Sequence, residues 1–524
     1  MAIPSLALIP TGFKDGKLYS VLPESGAGDF DVVRGSGATR VNKDGLIEDV
    51  RILSGELITN GGFDTDSDWG LGTNWNISGG SLNASASTAT AFQTGTGVTT
   101  NKTYKVTYTI SNYVSGSVRI EIGSANVSVG IIRSADGTYT EYITALGDSA
   151  VYFDGISAFT GSIDNVSVKE VTEDTDIPRL DYTGGGCPAL LVEPQSTNLI
   201  PYSEDFSDAS WIENQTTITQ NATISPSGLI DASMISEDNT NNFHRVRRAI
   251  SPAANSTLSI FAKKGTNDKF LLWSGANGVG FDLTLGTINN VSGLNPSLSS
   301  SIKDFGNGWY RCSITDNSIS AFEVFSLQDF SGFTYQGSST NNFYVYGAQL
   351  EELPYATSYI PTSGVIATRL SDSVTGAGDT TTFNSTEGVL YAEIASLSTT
   401  GSNSNITLSD GTGNNRIYIY YLIDNSISVI YNINSTGASL NDFALANITD
   451  QTKIAVRWGN SNVSVWINGT SVLSNTTSNF LSNTLNALSF AKPTGGGDFT
   501  GRVKDLRVYN TALTDAELLT LTTI

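Results

Sequence analysis

Asp64, Asp66 and Asp68 alternate within the segment DTDSDW and set carboxylates at positions 1, 3 and 5 of a loop, as an EF-hand does. That loop also needs Gly at position 6 and Glu at position 12; Trp69 and Trp75 stand there, so the EF-hand reading fails. One histidine, His244, lies in the run His244-Arg245-Val246-Arg247-Arg248 with no nucleophile motif beside it. Ser-His-Asp triads and histidine metal sites are thereby excluded, and the alternating run reads as a solvated sheet face. Hydrolysis of a glycosidic bond needs two facing carboxylates. Glu193, Glu213, Glu351 and Glu352 fall instead in connectors or at strand ends. The glycine runs 35–37, 184–186 and 495–497 neither follow a strand nor open a helix with Lys-Ser/Thr, so they read as turns, not phosphate cradles. The chain is expected to be no enzyme.

Binding chemistry is better represented. Flat aromatics stack on sugar faces, and Tyr418, Tyr420 and Tyr421 cluster in one segment. Tyr418 and Tyr420 have the opposite parity to Ile417 and Ile419. If the isoleucines face the core, the tyrosines offer a glycan platform or a subunit contact. Trp69 and Trp211 read differently. Each closes a repeated block, LITNGGFDTDSDW at 57–69 and LIPYSEDFSDASW at 199–211, so both are expected to anchor cores.

The elements that must hold these residues are strands. Tyr104, Val106, Tyr108 and Ile110 alternate with polar residues, as do Val118, Ile120 and Ile122, Ile454, Val456 and Trp458, and Val463, Val465 and Ile467. Period two with one wet face is the pattern of antiparallel sandwiches. Hairpin turns are signalled at Asp136-Gly137, Asn307-Gly308, Asp410-Gly411 and Asn468-Gly469. One short helix is expected near the end, where Thr514-Asp515-Ala516-Glu517 forms a capping box. The fold class is therefore all-β: three tandem antiparallel sandwiches, an extended N-terminal region and a short C-terminal helix.

Charged residues are 15% of the 524, well below the usual ~25%, yet the net charge is -22. Hydroxyls and amides must solvate the surface. So acidic a chain is a poor nucleic-acid partner. No stretch approaches the length of a membrane span. The proline-broken N-terminus lacks the basic start of a signal peptide. Cys187 and Cys312 are expected as free thiols.

The expected organisation is an N-terminal attachment region at 1–53, completed by the connector 173–197, with a first jelly roll at 54–172 inserted between them. A second jelly roll at 198–353, a linker at 354–380 and a third sandwich at 381–524 follow. The first, from LITNGGFDTDSDW to IDNVSVKE, resembles carbohydrate-binding jelly rolls of the family 4/9 type. The third, with NVSVWINGT and FTGRVKDLRVYNTALTDAEL, resembles concanavalin A-like (laminin-G-like) sandwiches. Hydrolases on such sandwiches resemble one another in a Glu-x-Asp-x-x-Glu strand, and no segment here matches it. Three joints, GSGATRVNKDGLIEDV (35–50), PRLDYTGGGCPALLVEPQSTNLIPYSEDFSDASW (178–211) and YATSYIPTSGVIATRLSD (355–372), resemble structural proteins of tailed-bacteriophage virions, of the head-fibre, tail-fibre or decoration type.

The resemblance implies a virion protein assembled in the host cytoplasm, docked to other capsid or tail proteins. It implies a homo-oligomer, with a trimer favoured, and host-surface glycans as ligands. The alternative is a secreted or surface-bound bacterial glycan-binding protein and, less favoured, a polysaccharide-degrading enzyme. The jelly-roll resemblance also implies a structural calcium held by Asp164 and backbone oxygens near Gly62; the other reading of that region is a solvated Asp-rich turn.

Overall fold

The computed structural model describes every residue except Met1, Asp15, Asp148, Ser297, Leu298, Thr400, Gly401, Ser402, Asn403 and Ile423. Strand dominates, and among the described residues one helix occurs, Asp515–Thr522. The chain divides into two compact units: 51–174 with 221–232, and 1–50 with 175–220 and 233–524.

In the smaller unit two long strands, Thr103–Ile122 and Ala150–Glu173, pair antiparallel. Their register shifts between Thr107 and Thr109 and twice between Ser111 and Ser117. Bulges of this kind bend a strand, and the strict burial alternation of residues 103–110 lapses there. Tyr104, Val106, Tyr108 and Ile110 face the core with Trp69, Trp75 and Phe153. On the other face threonines meet across the strands, Thr103 with Thr144 at 2.9 Å, Thr107 with Thr140 at 3.0 Å and Thr109 with Thr138 at 2.9 Å. The low charge of the chain is thus matched by paired hydroxyls on an outer sheet face. The chain passes into this unit along Ile52–Leu53 and out along the end of Ala150–Glu173, and these segments pair, Ile52 opposite Glu173 and Leu53 opposite Val171.

The larger unit holds two sandwiches. In the first, one sheet runs Arg245–Ala253, Ile319–Leu327, Lys269–Trp273, Gly278–Asp282, and the other includes Asn342–Glu351, Ser256–Lys264, Trp309–Asp316 and Ser299–Asp304. Their inner faces share a core containing Phe206, Trp211, Ile260, Phe270, Phe322 and Leu350. The repeated blocks anchor alike. Trp69 Nε1 donates to the Asn60 carbonyl at 3.2 Å and Trp211 Nε1 to the Tyr202 carbonyl at 3.0 Å, each nine residues upstream. Each indole also packs on its block's phenylalanine, at 5.3 Å in one case and 4.9 Å in the other.

The last sandwich sets a sheet of Gly501–Tyr509, Gly388–Ser396, Thr452–Gly459, Asn462–Ile467 and Thr470–Thr476 against a five-stranded sheet, Thr436–Ala444, Ser426–Ile433, Arg416–Tyr421, Ser404–Ser409 and Ala487–Ser489. The Asn468-Gly469 turn joins Ile467 to Thr470 with φ of 48° and 80°, the doubly left-handed backbone a two-residue hairpin needs. Thr514 caps the helix by accepting from the Glu517 amide at 3.4 Å, and Glu517 accepts from the Thr514 amide at 3.0 Å.

The N-terminal residues do not stand apart as an extended arm. Leu6–Leu8 pairs with Gly501–Tyr509 through Leu6–Val508 and Leu8–Leu506. Ala189–Val192 takes the same edge further along, with Leu190 opposite Val503 and Val192 opposite Gly501. Leu6, Leu8, Leu18, Phe30, Leu180, Leu190 and Val192 all enter the core of the last sandwich. The physical reason is an open strand edge: Gly501–Tyr509 would otherwise present unpaired backbone groups, and two distant segments cover it.

The joints meet in a buried ionic cluster. Arg34 and Arg179, both without exposed surface, reach Asp372; Arg34 Nη1 lies 2.8 Å from its Oδ1. Glu193 takes Arg179 Nη1 at 2.5 Å and Arg369 Nη1 at 2.7 Å. Burial opposes the charge of Glu193, but Arg369 and Arg179 outweigh it and hold the carboxyl well below its ordinary range.

Candidate functional site

The five-stranded sheet of the last sandwich turns one face inward and one outward. Ile417, Ile419, Tyr421, Ile427 and Val429 go to the core. Tyr418 and Tyr420, of opposite parity, share the outer face with their cross-strand neighbours. Tyr420 lies between Asn405 and Ser428, and Tyr418 between Thr407 and Ile430. The sequence-predicted tyrosines are therefore brought together, and the isoleucine parity places them correctly.

Their setting differs from an open platform. Tyr418 is buried to 3% exposure, with the Arg416 guanidinium 4.4 Å from its ring centre; Tyr420 is half-buried. The loop 491–498 lies over this face, tied down where Asn405 Nδ2 donates to the Gly497 carbonyl at 2.5 Å. A side chain at Gly497 would collide with that amide, so the close approach requires glycine. Between loop and sheet is a pocket of about 210 Å³ lined by Asn405, Arg416, Tyr418, Tyr420, Lys492 and Thr494.

Three hydroxyls buried on this face, those of Thr407, Tyr418 and Ser428, have no hydrogen-bond partner among the described residues. A buried polar group left unpaired costs about 1–3 kcal/mol, and the one of these that lines the pocket, Tyr418, calls for a polar occupant. Burial raises the Tyr418 phenol above its ordinary value and Arg416 works against that rise, so the hydroxyl keeps its proton and remains a donor. The lining offers hydroxyls, an amide and two cations, and none of its residues is a carboxylic acid. Sequence parity located the tyrosines but missed Arg416, Lys492 and the hydroxyls. Arg416 shares the parity of Tyr418, which was the available signal; Lys492 arrives from a distant loop and leaves none.

The other expected sites are placed as follows. Asp164 accepts from the Asn165 amide at 2.6 Å, and the Gly61 carbonyl, next to Gly62, accepts from Val166 at 2.8 Å. The opening loop and closing strand of the smaller unit do adjoin. Asp164 with nearby carbonyls supplies only part of the six to eight oxygens that calcium takes. Among the described residues no group of three or more His, Cys, Asp or Glu side chains could hold a metal ion. His244 is buried, its Nδ1 2.9 Å from the Gln215 carbonyl. Cys312 is buried and Cys187 exposed, both free. No helix among the described residues is long and apolar enough to cross a membrane.

Comparison with protein families matches residues 371–519 to the concanavalin A-like lectin/glucanases superfamily. The matched segment contains the pocket. No curated protein matches the chain. Among solved structures it is similar to domain 4 of AbnA, a GH43 extracellular arabinanase of Geobacillus stearothermophilus in complex with arabinotriose, at 17% identity over 33% of this chain and 84% of that one, TM-score 0.25. It is similar to the CBM22-1–CBM22-2 tandem of Paenibacillus barcinonensis Xyn10C at 11% identity, 59% of this chain and 99% of that one, TM-score 0.19. A mutant Trypanosoma rangeli sialidase displaying trans-sialidase activity gives 11%, 55%, 60% and 0.24. Likeness at this level carries no argument about function. What stands is an all-β protein of sandwiches whose last domain is concanavalin A-like.

Proposed function

We propose that the protein is a non-enzymatic glycan-binding structural protein of a bacteriophage virion, a fibre or decoration protein that presents the pocket over Tyr418 to host-surface sugars. The observation that carries the binding part is the buried, unpartnered Tyr418 hydroxyl in the wall of a pocket edged by Arg416 and Lys492. A sugar, with a donor and acceptor at nearly every carbon, satisfies such a surface as an apolar ligand does not. The lining offers no pair of acids, which favours binding over hydrolysis. The superfamily match at 371–519 supports the same reading. The virion setting rests on the three joint segments and their resemblance to phage structural proteins. In several copies, weak single sites bind together through raised effective concentration.

Tyr418→Phe separates binding from folding. It removes one orphaned hydroxyl, so thermal stability is expected to hold or rise. Affinity on a glycan array is expected to fall about fivefold, the worth of a hydrogen bond of about 1 kcal/mol. Equal glycan binding by the variant, or no binding by the parent, refutes the site. Release of sugar from a bound polysaccharide refutes the non-enzymatic part. Mass spectrometry of purified virions that lacks this chain refutes the setting.

A further inference from the structure

A second cavity, of about 130 Å³, lies within the larger unit where the joints meet its two sandwiches. Its walls include Val41, Leu191, Phe261, Phe305 and Leu397. Its size is close to the ~150 Å³ cavity that admits benzene in a protein core. Four cations line it, Arg40, Lys303, Arg311 and Arg502, in a chain whose acids outnumber its Lys and Arg by 50 to 28.

The ion pairs leave two of these cations without a direct partner. Arg502 is paired with Asp181 at 3.3 Å and Arg40 with Glu48 at 2.9 Å. Glu193 is taken up by Arg179 and Arg369. Asp304 accepts from the Gly306 amide of its own turn at 2.8 Å. Lys303 and Arg311 have no carboxylate within ion-pair distance; the acids that face Arg311 are Glu351 and Glu193. Lys303 makes no ion pair or hydrogen bond with any described residue. Arg311 donates only to neutral oxygens, the Thr357 carbonyl at 2.6 Å and Ser259 Oγ at 3.2 Å, and its Nε is buried without a partner.

These two cations stand directly opposite each other across neighbouring strands, Ser299–Asp304 and Trp309–Asp316. Like charges in that relation repel. Two cations without a direct ion pair, beside a cavity with apolar walls, are complementary to an anion that carries an apolar body.

We infer that this cavity binds a small organic carboxylate, with the carboxylate between Lys303 and Arg311 and the apolar part against Phe261, Phe305 and Leu397. The site is separate from the pocket over Tyr418 and does not depend on the function proposed for it. Since it touches all the joint segments, an occupant braces the junction.

Calorimetric titration of the full chain with benzoate, benzyl alcohol and inorganic phosphate tests the inference. Benzoate is expected to bind saturably, more weakly as salt is raised, with the uncharged alcohol and the all-polar phosphate at least tenfold weaker. Lys303 is exposed, so Lys303→Gln should fold normally, as its melting curve will verify, and should cost benzoate at least tenfold in affinity; Lys303→Arg should restore most of it. Absence of saturable benzoate binding overturns the proposal, as does equal binding of the alcohol or an unchanged Lys303→Gln variant. Phosphate binding as tight as benzoate overturns the apolar half of the site.

Discussion

Glu193 shows what single residues do for this molecule. Its carboxylate holds two arginines in a buried place, and Ser358 donates to it through both its amide and its hydroxyl, at 2.8 and 2.6 Å. Breaking such a cluster on one side strands the opposite charges, which costs about 3–5 kcal/mol. Glu193→Gln is therefore expected to lower the unfolding free energy from urea titration by that amount at neutral pH, and with it the urea midpoint. The acid limb has a definite sign. The carboxyl is held below its ordinary 4.5 when folded, so its contribution is complete above that value and declines as pH falls below it. Urea midpoints for parent and variant should converge as the solution is acidified below 4.5; a constant gap would show that Glu193 titrates alike in both states. At this scale the sequence was legible where parity decides. Ile417 against Tyr418 is such a case, and so is the burial of Trp69 and Trp211. It was not legible for Arg34, Arg179 and Arg369. Each lies in a segment with ordinary turn or strand composition, and its burial depends on acids up to 338 residues away.

Elements tell a different story from the linear order of segments. The superfamily match covers 371–519, but the sheet in that segment is finished by Leu6–Leu8 and Ala189–Val192. Residues 371–519 produced alone should consequently be unstable or aggregate through the uncovered edge of Gly501–Tyr509. Leu6→Ala or Leu8→Ala in the full chain should each cost about 2–5 kcal/mol, since both side chains are wholly buried. A soluble, cooperative thermal transition of the isolated segment would contradict this. Period-two alternation, Asn-Gly turns and the capping box made most strands and the helix readable in advance. The partners of a three-residue strand were not. A segment such as LAL at 6–8 carries too little pattern to name its neighbour, and that neighbour lies 500 residues on.

For the whole molecule, the paired passage of the chain through Ile52–Leu53 and the end of Ala150–Glu173 is decisive. Opposed residues in an antiparallel pair lie about 5 Å apart, so a short turn can bridge the gap left by removing 54–172. The truncated chain is expected to keep the melting transition of the larger unit, because the ionic cluster and the shared edge of Gly501–Tyr509 lie outside the deleted residues. Loss of that transition would mean the unit needs its companion. The two repeated blocks were visible in the sequence, and the split between 35–50 and 178–211 was expected from the resemblance of the joints. The convergence of the joints on one charged core was not, since no local period encodes it.

The pairing of Leu6 with Val508 also sets a schedule. On a ribosome the smaller unit has most of its chain, 51–174, long before the last sandwich exists. The Leu6–Leu8 strand has only the bridge from Ala7 to Leu22 until residue 508 has emerged. For the whole span of synthesis between them its leucines must be kept from other edges, and loop closure over that length is slow. The sheet edge that Leu6–Leu8 covers is thus completed only once both ends of a 502-residue separation, Leu6 and Val508, have been made.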